Sequence, residues 1–215
     1  HPPGPELWAV TPMTRQEYLY DDIIDLDGAM DEHRRFTSIL SRFANVLDVR
    51  TLLEQTLENE EARNFLIDRS IEITAFRSLS ALKNVAPAEL ARCYIEGSSI
   101  PSGAFTRKLE RENYALPPLP NLFFTRDASM VLSNQAVVSA MRFSSRWPEE
   151  ALMRTIFGYH PRFADPNILY DGSDERRKGF TLEGGDVHVI SEDTELVGLS
   201  ERTSAAALDE LCELL

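Results

Sequence analysis

From Asp25 onward, Met30, Phe36, Ile39, Leu40 and Phe43 approximate a 3.6-residue apolar stripe, with Glu32, Arg34, Arg35 and Arg42 opposite. That period predicts an amphipathic helix. Before it, four prolines punctuate the first residues, and the short apolar run Leu7 to Val10 reads as strand or loop. Asn45 to Val49 reads as a short strand. Residues 50 to 97 show no period-2 alternation; Leu52, Leu53, Leu57, Phe65, Leu66, Phe76, Leu79 and Leu82 fit successive short helices. The best marked is Pro87 to Glu96, with proline in its first turn and Gly97 just past its end. This stretch is expected to be an all-helical insertion, 50–97, in a fold carried by 1–49 and 98–215.

After the stiff connector Leu116-Pro117-Pro118-Leu119-Pro120 the pattern changes. Leu122 to Phe124, Met130 to Leu132 and Ala136 to Met141 read as strands, with a turn at Ser133-Asn134-Gln135. Ser144 to Pro148 opens a helix that buries Leu152 and Ile156, and a short strand is expected near Asn167 to Tyr170, followed by a polar loop to Gly179. Leu182 to Ile190 and Glu195 to Leu199 read as strands around the turn Glu192-Asp193-Thr194. Thr203 or Ser204 caps a final helix with Leu208, Leu211, Cys212 and Leu215 on its apolar side. Setting Asp127 on Asp186 brings Val131 onto Ile190 and Val138 onto Val197, an internal ββα repeat of about 59 residues. An arginine follows the second strand in both copies: Arg142 or Arg146, then Arg202. Such a unit cannot bury its faces alone, so further copies are expected downstream and the chain is expected to be a piece of a longer protein.

Composition narrows the function. The chain has 215 residues, 43% hydrophobic and 27% charged, as globular proteins are. A net charge of −13 argues against nucleic acid or anionic lipid as a partner and leaves a small cationic ligand open. No apolar run is long enough to span a membrane. Two cysteines make no disulfide framework; Cys93 and Cys212 read as small core residues. His33 and His160 read as surface residues. Asp186 and His188 share a strand face but lack further ligands at metal spacing, so His188 is expected to be structural and no metal is expected.

The candidate chemistry lies in the repeat. The first copy offers Asn121, Phe124, Arg126 and Asp127; the second offers Glu183, Gly184, Gly185 and Asp186, then Glu201 and Arg202. An Arg-Asp pair at a strand end is by itself more often a surface turn than a site. Two glycines inside a strand are more telling, because they mark a bulge or a close backbone approach. Carboxylates pair with the planar fork of a guanidinium, and arginine pairs with an α-carboxylate in the same way. Arginine or a relative is a plausible ligand on residue chemistry alone.

These residues resemble a known family. Pro118-Leu119-Pro120-Asn121-Leu122-Phe123-Phe124-Thr125-Arg126-Asp127, Leu182-Glu183-Gly184-Gly185-Asp186 and Gly198-Leu199-Ser200-Glu201-Arg202-Thr203-Ser204 are similar, in order and spacing, to three substrate-site motifs of bacterial arginine deiminases. His1-Pro2-Pro3-Gly4 resembles the family's early His-Arg-Pro-Gly segment, with Pro2 in place of Arg. The resemblance implies an α/β fold, a partial pentein propeller of ββαβ units with a helical insertion. It implies hydrolysis of L-arginine to L-citrulline and ammonia without cofactor; the lack of a signal peptide at His1 suggests a cytoplasmic location, and a homo-oligomeric assembly is left open. In enzymes of that family a Cys thiolate attacks the guanidinium carbon, ammonia leaves, and water hydrolyses the thiouronium, with a His moving protons. By the motif match Asp127 and Glu183 bind the guanidinium nitrogens, Phe124 packs on the substrate's flat end, and Asn121 and Arg202 hold its amino-acid end. Arg146, with Arg142 as competitor, matches a second arginine. The family's nucleophilic Cys, its His and that residue's companion Asp match positions beyond Leu215. Two alternatives stand beside this reading: another guanidine-modifying pentein (an amidinotransferase or a citrulline hydrolase), and a non-enzymatic arginine-binding relative.

Overall fold

The computed structural model describes residues 1–74, 77–99, 105, 114–163, 168–174 and 179–215. The chain forms two compact units, His1–Phe123 and Phe124–Leu215. It is a mixed α/β protein with three small sheets among the described residues, none of them closed.

In the first unit, Pro5–Ala9 is a 3-10 turn rather than strand or loop. Proline fits its first position because no N–H is needed there. Leu7 and Val10 pack with Tyr18 in a small core edged by Tyr20, Ile24, Leu26 and Phe123. Helix α1 (Leu26–Leu40) starts where Asp25 accepts the Gly28 N–H. Its apolar stripe is not covered: none of its residues is buried, and Phe36 and Ile39 are exposed. The local period sets a helix, whereas burial depends on what packs against it.

The strand expected at Asn45 to Val49 is absent. Residues 41–44 turn, residues 45–48 have no regular structure, and Val49 opens α2 (Val49–Thr56), because Asp48 accepts the Thr51 N–H at 2.9 Å and caps a helix instead. The helices α3 (Glu60–Thr74) and α4 (Pro87–Glu96) and a 3-10 segment Arg77–Asn84 follow, as the pattern predicts; Phe76 lies outside the described residues. Leu53, Leu57, Leu66, Ile67, Leu90 and Ile95 are fully enclosed, and the Tyr94 hydroxyl pairs with Ser70 Oγ at 2.9 Å. Gly97 ends α4 at φ 85°, and a Cβ there would lie 2.9 Å from the Pro118 nitrogen. The chain then forms β1 (Ser98–Ser99), paired antiparallel with β2 (Tyr114–Leu116). The connector after β2 is largely buried: Leu119 is enclosed and donates its N–H to the Ile95 carbonyl.

The second unit opens with a helical turn, α5 (Thr125–Ala128), and the residues before it turn, so no strand forms at Leu122 to Phe124. The hairpin β3 (Ser129–Leu132) and β4 (Gln135–Val138) closes through Ser133 and Asn134, both at positive φ. That is the two-residue geometry whose twist matches antiparallel strands. Strand β5 (Ile168–Asp171) adds parallel to β4 after α6 (Trp147–Tyr159), which buries Leu152 and Ile156 as expected. The long strand expected at Leu182 to Ile190 is interrupted. Leu182 bridges Ala140, Gly184–Asp186 is a 3-10 turn, and only β6 (Val187–Ser191) is extended. It pairs with β7 (Thr194–Val197). Ser204 accepts the Ala207 N–H and caps α7 (Ala205–Leu214). Met130, Leu132, Val137, Tyr170, Phe180, Leu182, Val187, Ala207 and Leu211 form this unit's core. Leu211 alone of the four expected stripe residues of α7 is fully buried; Cys212 and Leu215 are exposed, correcting the core reading of Cys212. His160 is buried, not at the surface: it ends α6, accepts the Arg162 N–H and packs on Phe163.

Candidate active site

The second unit gathers four charged side chains from four places in the sequence. Asp127 comes from α5, Arg146 from the 3-10 turn before α6, Glu183 from the entry to β6, and Arg202 from the loop before α7. Two features bring the first and third segments together. Arg126 Nε donates to the Gly184 carbonyl at 3.0 Å and its Nη2 to that of Val187. Gly184 lies so close that a Cβ would sit 2.0 Å from the Arg126 carbonyl oxygen. Gly184 is therefore a close backbone approach, one of the two features its presence suggested, while Gly185 faces the Asp127 side chain.

Glu183 is buried. Its Oε1 accepts the Arg142 backbone N–H at 2.9 Å and its Oε2 accepts Arg202 Nη1 at 3.1 Å. Its own N–H donates to Thr203 Oγ1. Burial pushes its carboxyl above the ordinary range, while the Arg142 N–H and the charges of Arg202 and Arg146 pull the other way. The Arg202 guanidinium lies 4.7 Å from the centre of the Phe143 ring, a cation–π contact.

Arg146 is buried as well. Its Nη1 donates to Asp127 Oδ2 at 2.8 Å, and its Nε and Nη2 donate to the two oxygens of Glu149 at 3.0 and 2.7 Å. Burial opposes the charge of Arg146, but Glu149 and Asp127 outweigh it and raise its affinity for the proton. Burial pushes the Glu149 carboxyl up; Arg146 counters, and the Asp127 and Glu183 carboxylates add to the rise. These carboxylates are near enough to feel one another. Asp127 keeps about a quarter of its side chain exposed and Arg202 a third, whereas Arg146 and Glu183 are enclosed. Phe124, next to α5, is half exposed.

Of the six residues singled out in the sequence, four fall into two pairs, Arg146 with Asp127 and Arg202 with Glu183, whose charges influence one another. Asn121 belongs to the first unit, buried, with its amide donating to the Tyr18 carbonyl. Arg142 contributes its backbone N–H while the residue is exposed, and Arg146 is the arginine that reaches Asp127. Asp186 accepts from Ser200 Oγ, and His188 is exposed. Sequence reasoning missed Glu149, Phe143 and Thr203. Glu149 stood three residues after Arg146 at a helix start, the spacing of a side-chain pair, and was legible in that way. No group of three or more potential metal ligands occurs among the described residues. No helix among them is long and apolar enough to cross a membrane. The cluster presents carboxylate oxygens to planar N–H donors, and its own two arginines already occupy some of them.

Comparison with known proteins identifies the family. A family model described as arginine deiminase matches residues 16–215. The arginine deiminase of Metamycoplasma arthritidis (strain 158L3-1) is 29% identical, the alignment covering 99% of this chain and 53% of that protein. The arginine deiminase of Oenococcus oeni (strain ATCC BAA-331 / PSU-1) is 31% identical, over 100% and 55%. The chain spans about half the length of these curated relatives. With the family's pattern running through the segments that carry Asp127, Arg146, Glu183 and Arg202, the chain belongs to the arginine deiminase family.

Proposed function

We propose that the protein hydrolyses L-arginine to L-citrulline and ammonia, and that this chain supplies the substrate-binding half of the site. The observation that carries this reading is the convergence of Asp127 and Glu183, from two separate hairpin entrances, around arginine side chains. Glu183 already accepts a guanidinium N–H from Arg202, the bond a substrate would make. In this proposal Asp127 and Glu183 bind the guanidinium nitrogens, Phe124 covers the flat end, and Arg202 meets the α-carboxylate. Arg146 orders Asp127. Asn121 is proposed for the amino-acid end on its place in the motif alone.

The covalent step belongs to the same proposal. A Cys thiolate attacks the guanidinium carbon, the C–N bond breaks and ammonia leaves with a proton supplied by a His; water then attacks the thiouronium, releasing citrulline and the thiolate. Both groups are expected outside this chain, as is a companion Asp. The fold reading, propeller units over 1–49 and 98–215 with an insertion over 50–97, is proposed with it, as is a cytoplasmic location. The test is citrulline formation by the full-length protein, with agmatine and citrulline as competing substrates. Citrulline from arginine is the expected result; its absence, or preference for another guanidine compound, overturns the reading.

A further inference from the structure

We propose that Glu149 is a positioning residue of the guanidinium site, acting through Arg146 on Asp127. The inference rests on the reading above, in which Asp127 receives the substrate's guanidinium.

Glu149 lies in the first turn of α6 and is almost wholly enclosed, so it is out of reach of a ligand in solution. Both its oxygens are committed to Arg146, at Nε and Nη2. Two parallel bonds fix the plane of a guanidinium, which a single bond does not. The fixed plane delivers Nη1 to Asp127 Oδ2 at 2.8 Å. A buried arginine must be compensated by negative charge, because an unpaired charge out of water is costly. Without Glu149 more of that compensation falls to Asp127, and Arg146 turns its fork onto the carboxylate the substrate needs. With Glu149 in place, Arg146 orients Asp127 through one oxygen, and Oδ1 lies on the side of exposed Gly185, 2.7 Å from where a Cβ there would stand. Glu149 thus separates the task of neutralising Arg146 from the task of binding substrate.

The experiment uses the full-length protein and the variants E149Q, E149D, R146M and the E149Q/R146M double. In E149Q the KM for arginine rises about ten-fold or more, with a smaller change in kcat. E149D, which keeps the charge but shortens the reach, recovers part of the loss. E149Q has no further effect on KM once Arg146 is Met, because Glu149 acts only through it. A residue of merely structural importance lowers the melting temperature and leaves KM alone. A second readout is independent of turnover: the Arg146 Nε–H, identified as the 15N resonance missing from R146M, exchanges with solvent slowly in the wild type and at least ten-fold faster in E149Q. If E149Q does not fold, E149D carries the same test, with a broken fork raising KM and exchange together. No citrulline from the wild type sinks the functional reading and the substrate half of this proposal with it. Wild-type turnover with KM or Nε–H exchange unmoved in the Glu149 variants overturns the proposal alone.

Discussion

Neighbouring glycines in the Glu183-Gly184-Gly185-Asp186 segment are expected to fail in opposite ways when replaced by alanine. Neither has a positive φ, so the space around each decides the outcome. A Cβ on Gly184 would stand 2.0 Å from the Arg126 carbonyl oxygen and 3.1 Å from its carbonyl carbon. That is about 1.5 Å inside ordinary contact, against backbone atoms with no rotamer to retreat to. The two segments must part, and with them the Arg126 bonds to Gly184 and Val187. Overpacking of this kind costs roughly 1–3 kcal/mol, and rigid partners on both sides put Gly184→Ala at about 3 kcal/mol or more. In the full-length protein, about twice the length of this chain if it matches its relatives, that lowers Tm by roughly 3–6 °C. On Gly185 the nearest atom is Asp127 Oδ1, 2.7 Å away, the end of a rotatable side chain. Gly185→Ala therefore leaves Tm within about 2 °C, but it displaces the carboxylate proposed to hold the guanidinium and raises the KM for arginine about ten-fold. Thermal unfolding and citrulline assays on both variants check this. If Gly184→Ala is as stable as the wild type, or the two variants lose equal stability, the steric reasoning is wrong. A normal KM in Gly185→Ala removes Asp127 from the substrate site.

Asp127→Ala is expected to abolish turnover while lowering stability by only about 1–2 kcal/mol, because Arg146 keeps both bonds to Glu149 and Asp127 is partly exposed. A collapse of folding in urea titration would make Asp127 structural instead. Burial pushes Glu6 from its ordinary 4.5 up to about 7, against the Gly4 N–H and the charge of Arg50. The folded state then binds this proton more tightly than the unfolded chain, so stability falls as pH rises between about 4.5 and 7, by up to roughly 3 kcal/mol. Urea unfolding at pH 5 and pH 8 reads the slope; Glu6→Gln should flatten it, and an unchanged slope refutes the assignment. Of this chain's two thiols, Cys212 is exposed, whereas Cys93 is buried with its pKa raised by burial. Brief alkylation of the folded protein followed by mass spectrometry should label Cys212 and spare Cys93; equal labelling would contradict the packing of α4.

The proposed division of labour has a simple electrostatic logic. Arg146 and Glu149 are the enclosed partners, and Asp127 and Arg202 are the ones that reach solvent. A cationic ligand entering beside Asp127 competes with one bond from Arg146, and beside Glu183 with one from Arg202. Single bonds to partly exposed groups are the ones most easily exchanged.

Local signals were enough wherever a few neighbouring residues decide the backbone. Pro87 and Gly97 bounded α4, Ser133-Asn134 closed a hairpin, Ser204 capped α7, and the glycine pair marked a close approach. The three motifs held Asp127, Glu183 and Arg202 of the charged cluster because motif order is a property of sequence, whereas Arg146 and Glu149 lie outside them. Where a cap competed with an apolar run, sequence alone misled: Asp48 made Val49 the start of a helix, not the end of a strand. What surrounds each side chain was decided only in three dimensions. The face of α1 is open although its period is that of a buried helix, Cys212 faces solvent and His160 is enclosed. The pairing of Arg146 with Asp127, and of Arg202 with Glu183, joins residues 19 apart in both cases. Nothing local selects those partners, because burial and charge pairing depend on which segments the fold packs together, and periodicity describes each segment only by itself.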